Sequence, residues 1–482
     1  MRNYLRQYWL MLLAAAGVSL IFHWRIFHLD LLGQHVWRQT QTQLNIRNFS
    51  EGSLNILNPR INQIDLGTTV HRMEFPLMQW CIAIVDRIFG YSIFITRLMM
   101  FLIGILAMAG AGFFAKNIFS HKYAPAIFIW AFTFSPLFYY YTLNPLPDVA
   151  ALGLTLWGCG FFFSWWKTEI KRHLVFTGIL FALGALLKLP FIIYFILIPL
   201  AVFFRRNRGT KYISGSLARG MTWIIFPLAW YSWVIPQWTN NPVVSGILDA
   251  DNKQVQGLLN YLWGNFSSTL PEILINYAAV PLFLAGCWFI GKNKLFREKT
   301  FVLVCTLSLL ILAYFIFELN LIAVNHDYYL FPFLPMIFLI VTYGATQLLK
   351  VKPGNYFVIF CLWACPFAAY LRMDNRWDIQ KPGFNKELLF QAENLKKIIP
   401  ENDSIITIGD QSANIWFYYL DRKGWSYNEP LNVDYIGDRI RDGAKIIITD
   451  SKSAGDTILA HAKQLNASGI MKIGSFQVIS VK

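Results

Sequence analysis

The chain has 482 residues, of which 56% are hydrophobic, 17% aromatic and only 14% charged. A soluble domain carries about a quarter charged residues, so this composition excludes a soluble, a disordered or a nucleic-acid-binding protein as the principal reading, despite a net charge of +15. Residues 373–482 carry 14 basic and 14 acidic side chains and are neutral, whereas 1–372 carry 28 and 13; basic residues strewn between apolar runs are the mark of a polytopic membrane protein, not of a basic face on a soluble module.

The first apolar run, Tyr8 to Ile21, passes into a long polar loop without a small-residue cleavage site, which predicts a retained span rather than a signal peptide. A spanning helix needs about 20 mostly apolar residues. Candidates fall at 7–27, 92–115, 123–142, 148–166, 173–188, 190–204, 219–236, 271–291, 300–319, 328–349 and 354–371, eleven in all. Between the fifth and sixth, Lys188-Leu189-Pro190 predicts a tight turn, because proline disfavours a helical residue before it. With the N-terminus in the cytoplasm, 18 Lys and Arg fall at cytoplasmic ends, against Arg38, Arg47, Arg60, Arg72, Lys188 and Lys253 in outer loops, so the C-terminus falls outside. The stretch Phe75 to Phe89 is apolar but short, and as a span it would turn every later basic loop outward. It reads as an amphipathic helix in the outer interface, with Pro76 in its first turn and Gly90 at its stop.

The organisation expected is therefore a transmembrane domain over 1–372, with a large first outer loop at 28–91 and further outer loops at 237–270 and 320–327. A soluble outer domain follows over 373–482. There the apolar runs Ser404–Gly409, Ala444–Thr449 and Ser475–Val481 alternate with helical patterns near 384–398 and 456–466, which predicts a small α/β fold. All six cysteines lie in apolar stretches with no disulfide or zinc spacing, and Cys361 and Cys365, on one helix face, read as packing residues.

Ionisable groups near a bilayer are costly, so those at the outer ends of spans are the functional candidates. His35-Val36-Trp37-Arg38-Gln39, if helical, aligns His35, Arg38, Thr42 and Asn45 in one polar stripe; this is either a solvated face with a Trp anchor or a donor-rich face for an anion. His71-Arg72-Met73-Glu74 precedes the interfacial helix, where Glu74 is either complementary to the helix dipole or a carboxylate placed as a base. Asp148 opens a span after Asn144-Pro145-Leu146-Pro147, as a cap or a site residue. His326-Asp327-Tyr328-Tyr329 pairs aromatic-belt residues with a His-Asp couple the belt does not explain. Lys188 is a lone cation at an outer turn. A transporter places such groups at the midplane, but here the spans are uncharged in the middle and Glu318 lies near an end, so the pattern favours a catalytic site at the outer surface.

The order of these motifs resembles the GT-C glycosyltransferases of family 39, which include protein O-mannosyltransferases and bacterial lipid A aminoarabinose transferases. It runs through the Trp37-Arg38-Gln39 loop, Glu74-Phe75-Pro76-Leu77, Arg97-Leu98, Pro147-Asp148, Lys188-Leu189-Pro190 and Tyr328-Tyr329-Leu330-Phe331-Pro332. The resemblance covers about 1–350, and the Trp-Arg-Gln motif looks like that of a bacterial subgroup. It implies a polytopic α-helical GT-C fold with about 11 spans, N-in and C-out, with interfacial helices and a small α/β extracytoplasmic C-terminal domain. It also implies an inverting, metal-independent transfer of a sugar from a polyprenyl-monophosphate donor to a lipid, glycan or protein acceptor. That reaction belongs to the cell envelope, on the outer (periplasmic) side of a bacterial inner membrane, with membrane lipids as partners, no nucleic acid and no cofactor beyond the donor.

Two departures stand out. Where the family has an Asp-Glu pair in the first loop, this chain has Arg38-Gln39. Where the family has Lys-Pro-Pro-Leu, this chain has Glu74-Phe75-Pro76-Leu77. The charges look exchanged, with Glu74 as the carboxylate base (Asp148 and Asp327 being the other candidates) and Arg38 as a phosphate contact, since its planar fork grips phosphate oxygens bidentately. Lys188 and His326 would neutralise the leaving phosphate, and His35, Trp37, Gln39, His71, Arg72, Tyr328 and Tyr329 would complete the binding set. The sparse first-loop carboxylates do not form a Mg²⁺ cage. The rival readings are a lipid-linked glycan polymerase or ligase using a diphosphate donor, and a non-enzymatic flippase or transporter.

Overall fold

The computed structural model describes residues 2–65, 67–238, 257–319, 322, 326–410, 412–428 and 431–481; Asn325, Lys253 and much of the expected second and third outer loops lie outside them. The chain divides into two compact units. One comprises 1–28, 73–78 and 96–375; the other comprises 29–72, 79–95 and 376–482.

The first unit is helical. Among the described residues six helices are long and apolar enough to cross a membrane: Tyr8–His28, Ile93–Ile118, Asp148–Thr168, Lys299–Phe317, Asp327–Leu348 and Lys352–Trp377. A seventh forms only if Asn260–Ile275 and Val280–Lys292, bent by 110° at their junction, make one span. The expectation of eleven straight spans is thus corrected downward, and the reason is local. Hydropathy records the cost of moving a segment from water and is blind to continuity, and prolines interrupt some of the remaining candidates. Residues 123–142 split at Ser135-Pro136 into Ala124–Thr133 and Pro136–Tyr141. Residues 190–204 begin as the 3₁₀ stretch Leu189–Ile196. Residues 219–236 pass through a 3₁₀ turn at Thr222–Ile224, and Lys171–Leu187 stops at 17 residues. Of 271–291, the first part is a π-helix, Asn265–Ile275, that holds Pro271. The short helix expected from Phe75 to Phe89 forms as Leu77–Phe89, 13 residues long, too short to span, and most of it belongs to the second unit.

Broken helices leave backbone groups unpaired in an apolar medium, and side chains here satisfy them. Ser135 donates to the Leu274 carbonyl at 2.7 Å, and the Asn276 amide donates to the carbonyls of Phe134 and Cys365, each at 2.8 Å. Helix Val280–Lys292 packs on Leu334–Leu348 so closely that a Cβ on Gly344 would fall 2.0 Å from the Leu282 carbonyl oxygen, and one on Gly286 2.2 Å from that of Ile340. Small residues permit such approach between membrane helices. Gly344→Leu is expected to force the pair apart at a cost of about 1–3 kcal/mol, read as a lower Tm. A Tm equal to that of the wild type would show that the helices are not in contact.

The second unit is built on a seven-stranded mixed sheet, order β2-β1-β4-β3-β5-β7-β6. Its strands are β1 (Arg60–Asp65), β2 (Thr68–Val70), β3 (Ser404–Ile408), β4 (Gly424–Tyr427), β5 (Ala444–Thr449), β6 (Ala467–Ile473) and β7 (Phe476–Val481). The expected α/β fold of the tail is present, with β3, β5 and β7 on the three predicted runs and Glu387–Ile398 on the first predicted helix; the second forms earlier than expected, at Lys452–Ala460. What the sequence did not announce is that the first loop supplies the hairpin β1–β2, joined to the tail where Gln63 pairs with Gly424. Helix Val36–Glu51 packs within the same unit, and 12 of its 16 residues are buried although most are polar. Its polar groups find partners there. Asn45 donates to the Arg60 carbonyl at 2.7 Å, Gln43 to the Tyr91 hydroxyl at 3.2 Å, and Arg47 to the Tyr418 carbonyl at 3.2 Å and to Asp421 at 2.7 Å.

Candidate active site

Within the helical unit, the break after Lys171–Leu187 gathers the ionisable groups. Lys188 is extended (φ −155°, ψ 112°) and Pro190 lies in the first turn of the 3₁₀ stretch that follows, so the predicted turn forms with Lys188 as its pivot. A cation at a helix C-terminus meets the negative end of the dipole. Its side chain is only 8% exposed, and Nζ lies 2.9 Å from Glu74 Oε1 and 3.8 Å from Asp148 Oδ1. It also stands over the rings of Tyr328 and Tyr329, 5.0 and 5.1 Å from their centroids, a cation–π arrangement strengthened by burial.

Each partner is held by its own segment. The backbone on both sides of Glu74 is pinned. The Phe75 amide donates to the Leu186 carbonyl at 3.0 Å, and the Trp230 indole donates to the Met73 carbonyl at 3.0 Å while its ring meets Phe75 edge-on. Asp148 is the first residue of helix Asp148–Thr168 and fully buried; the cap position belongs to Pro147. The preceding turn is fixed by Arg97, which donates to the Leu143 carbonyl and to Asn144 Oδ1, both at 3.2 Å. Asp327 accepts the Tyr141 hydroxyl at 2.5 Å, and the His326 ring lies 5.5 and 5.8 Å from those of Tyr328 and Tyr329.

A cavity of about 320 Å³ opens beside this cluster, with Glu74, Lys188, Tyr314, Glu318 and Tyr329 among its lining and apolar walls from Ile192, Ile193 and Ile235. Glu318 was set aside in the sequence as lying near the end of a span, and Tyr314 is hidden inside an apolar run. Their four-residue spacing, which puts both on one helix face, is the signal that would have found them. One ammonium thus serves the carboxylates Glu74 and Asp148, with Glu318 in the same cavity. Such a group can donate to an anionic oxygen, and a carboxylate released from it can take a proton. Among the described residues no group of three His, Cys, Asp or Glu is placed to hold a metal ion.

The remaining candidates lie in the sheet-bearing unit. His35 takes a left-handed conformation (φ 58°) at the start of Val36–Glu51, and its Nε2 lies 3.3 Å from Gln34 Nε2. Trp37 packs against the hydrophobic core of that unit. Gln39 is fully buried and donates to the Gln34 carbonyl at 2.8 Å. Arg38 donates to Gln41, whose amide lies 3.0 Å from His71 Nε2. Arg72 donates to the Leu57 carbonyl at 2.9 Å and to Asn58. The expected stripe of His35, Arg38, Thr42 and Asn45 is not a solvated face: all four are buried, and Thr42 donates to the Arg38 carbonyl at 3.0 Å.

A family model described as dolichyl-phosphate-mannose-protein mannosyltransferase matches residues 74–233, a span that holds Glu74, Asp148 and Lys188. No curated protein is a detectable match to the sequence. Among solved structures, ArnT from Cupriavidus metallidurans in the apo state is similar with a TM-score of 0.64 at 13% identity, covering 98% of this chain and 97% of that one. The same protein bound to undecaprenyl phosphate gives 0.63 at 13% identity, covering 99% and 98%. The oligosaccharyltransferase AglB from Archaeoglobus fulgidus, in complex with an inhibitory peptide and a dolichol-phosphate, gives 0.60 at 12% identity, covering 92% of this chain and 69% of that one. The chain has the GT-C fold of these solved structures, and its segment 74–233 matches the mannosyltransferase family model.

Proposed function

We propose that this protein transfers a sugar from a polyprenyl-monophosphate carrier to an acceptor hydroxyl at the outer face of a bacterial inner membrane, with inversion at the anomeric carbon. The observation that carries the reading is Lys188, held between the buried Asp148 and the partly buried Glu74 at the edge of a cavity, in a fold shared with a protein solved with undecaprenyl phosphate. The excess of Lys and Arg at the opposite ends of the apolar runs supports an outward orientation for this end.

The donor phosphate enters beside Lys188 and competes with Glu74 for its ammonium. Glu74, displaced from its ion pair, is then free to accept the acceptor's proton as general base. The acceptor oxygen forms a bond to the anomeric carbon as the bond from that carbon to the phosphate oxygen breaks. The polyprenyl phosphate leaves with its added charge met by Lys188. Asp148 keeps Lys188 charged and oriented while Glu74 is away. His326 is the further candidate for phosphate contact within this unit, and the scheme uses no metal.

The test is transfer by the purified protein in liposomes supplied with undecaprenyl-phosphate-linked sugars and a lipid A, glycan or peptide acceptor. The expected products are free undecaprenyl phosphate and a glycoside of inverted anomeric configuration. Turnover of diphosphate-linked donors alone would point to a polymerase or ligase, and movement of the intact lipid-linked sugar across the bilayer would point to a flippase; either result overturns the reading.

A further inference from the structure

One wall of the cavity carries polar atoms that the transfer scheme does not use. Tyr314 and Glu318 stand one helical turn apart where helix Lys299–Phe317 ends, and both face the cavity shared with Lys188 and Glu74. Glu318 is 5% exposed. Its Oε2 and the Tyr314 hydroxyl are buried with no hydrogen-bond partner among the described residues. Nearly all buried polar atoms are paired, and leaving one unpaired destabilises the fold. Two such atoms, adjacent and facing the same space, are a cost that a ligand's own polar groups would offset.

We propose that Tyr314 and Glu318 hydrogen-bond neighbouring hydroxyls of the donor's sugar ring and so determine which sugar is accepted, an inference that rests on the cavity being the donor site. A sugar hydroxyl both donates and accepts. A phenol and a carboxyl on one helix face supply both capacities, whereas the isoleucine walls supply only shape. A carboxyl accepts a hydrogen bond, and when protonated it also donates one. The selectivity of such a site comes from what it rejects: a sugar lacking the hydroxyl leaves the buried oxygen unpaired, which discriminates far more sharply than an apolar pocket does.

The test uses the full chain in nanodiscs and two kinds of probe. One is undecaprenyl phosphate without sugar. The other is a panel of undecaprenyl-phosphate-linked mannose, glucose and galactose with their monodeoxy analogues. Glu318→Gln and Tyr314→Phe are each expected to weaken binding of the preferred sugar-lipid by about tenfold or more and to shrink its advantage over the matching deoxy analogue. The affinity for undecaprenyl phosphate should stay within about twofold. Glu318→Leu is expected to raise the Tm while erasing the preference, because it removes an unpaired buried oxygen. Equal losses for the sugar-free and sugar-loaded lipids, an unaltered sugar preference in both variants, or a lowered Tm for Glu318→Leu with its preference intact would each overturn the proposal. If the unmodified protein binds neither lipid, the donor-site reading itself fails, a result separable from the others because the sugar-free probe reports on it alone.

Discussion

Glu74→Gln is expected to lower kcat for transfer by about 10²–10⁴-fold, the usual worth of a general base, while the donor's KM stays level or falls, because a neutral glutamine competes less well for Lys188. Glutamine keeps the shape of Glu74 and can still accept a hydrogen bond from Lys188, so the carboxylate's proton affinity is the property lost. Asp148→Asn is the matched control. Its Oδ1 is farther from Lys188 Nζ, 3.8 Å against 2.9 Å, and it is fully buried, so it acts on Lys188 rather than on the acceptor and its kcat should fall less. The measurement is initial-rate transfer at saturating donor. Full activity in Glu74→Gln would remove Glu74 as base and pass the role to Asp148 or Asp327. Asp327 already accepts the Tyr141 hydroxyl at 2.5 Å, which makes Asp148 the stronger of the two.

Lys188→Met is expected to damage both stability and activity. Removing one member of a buried charge pair leaves the other uncompensated and costs about 3–5 kcal/mol. Here the ammonium serves two carboxylates, with side chains 11% and 2% exposed. Transfer should fall by about 10²–10³-fold or more, the effect of removing a single donor from a developing oxyanion. The two losses separate in a double variant. Adding Glu74→Leu removes one orphaned charge and should restore much of the Tm, whereas activity stays lost because both the base and the phosphate ligand are gone. If Lys188→Met unfolds at the wild-type temperature, the ion pair is not formed; if it also transfers normally, the site lies elsewhere.

How much of this was legible in the sequence follows from the range over which each signal acts. Glu74, Asp148 and Lys188 could be read because an ionisable residue beside an apolar run is costly and conspicuous, even though 114 residues separate Glu74 from Lys188. Tyr314 and Glu318 were missed because a tyrosine inside a hydrophobic helix looks like packing and a glutamate at its end looks like interface. The tail strands Ala444–Thr449 and Phe476–Val481 are apolar and short between turns, a local pattern. The strand Arg60–Asp65 is polar, and its pairing at Gly424 leaves no local mark. Of the five candidate spans that do not form straight long helices, two are broken at a proline, Pro136 and Pro190, which acts on backbone geometry that a transfer scale does not register.

The buried polar helix Val36–Glu51 has a bearing on biogenesis. Arg47 takes its carboxylate partner, Asp421, from a position 374 residues later, and the hairpin β1–β2 gains its neighbouring strand only when Gly424 arrives. Contacts of such separation form late. As the ribosome delivers the chain, this helix is made long before its partners and must wait through the synthesis of the spans that follow. Its glutamines, threonines and arginines keep it soluble during that interval, where an apolar helix of the same length would partition into the bilayer. The polarity that looks misplaced in the finished structure is what lets an early segment remain available for a late partner.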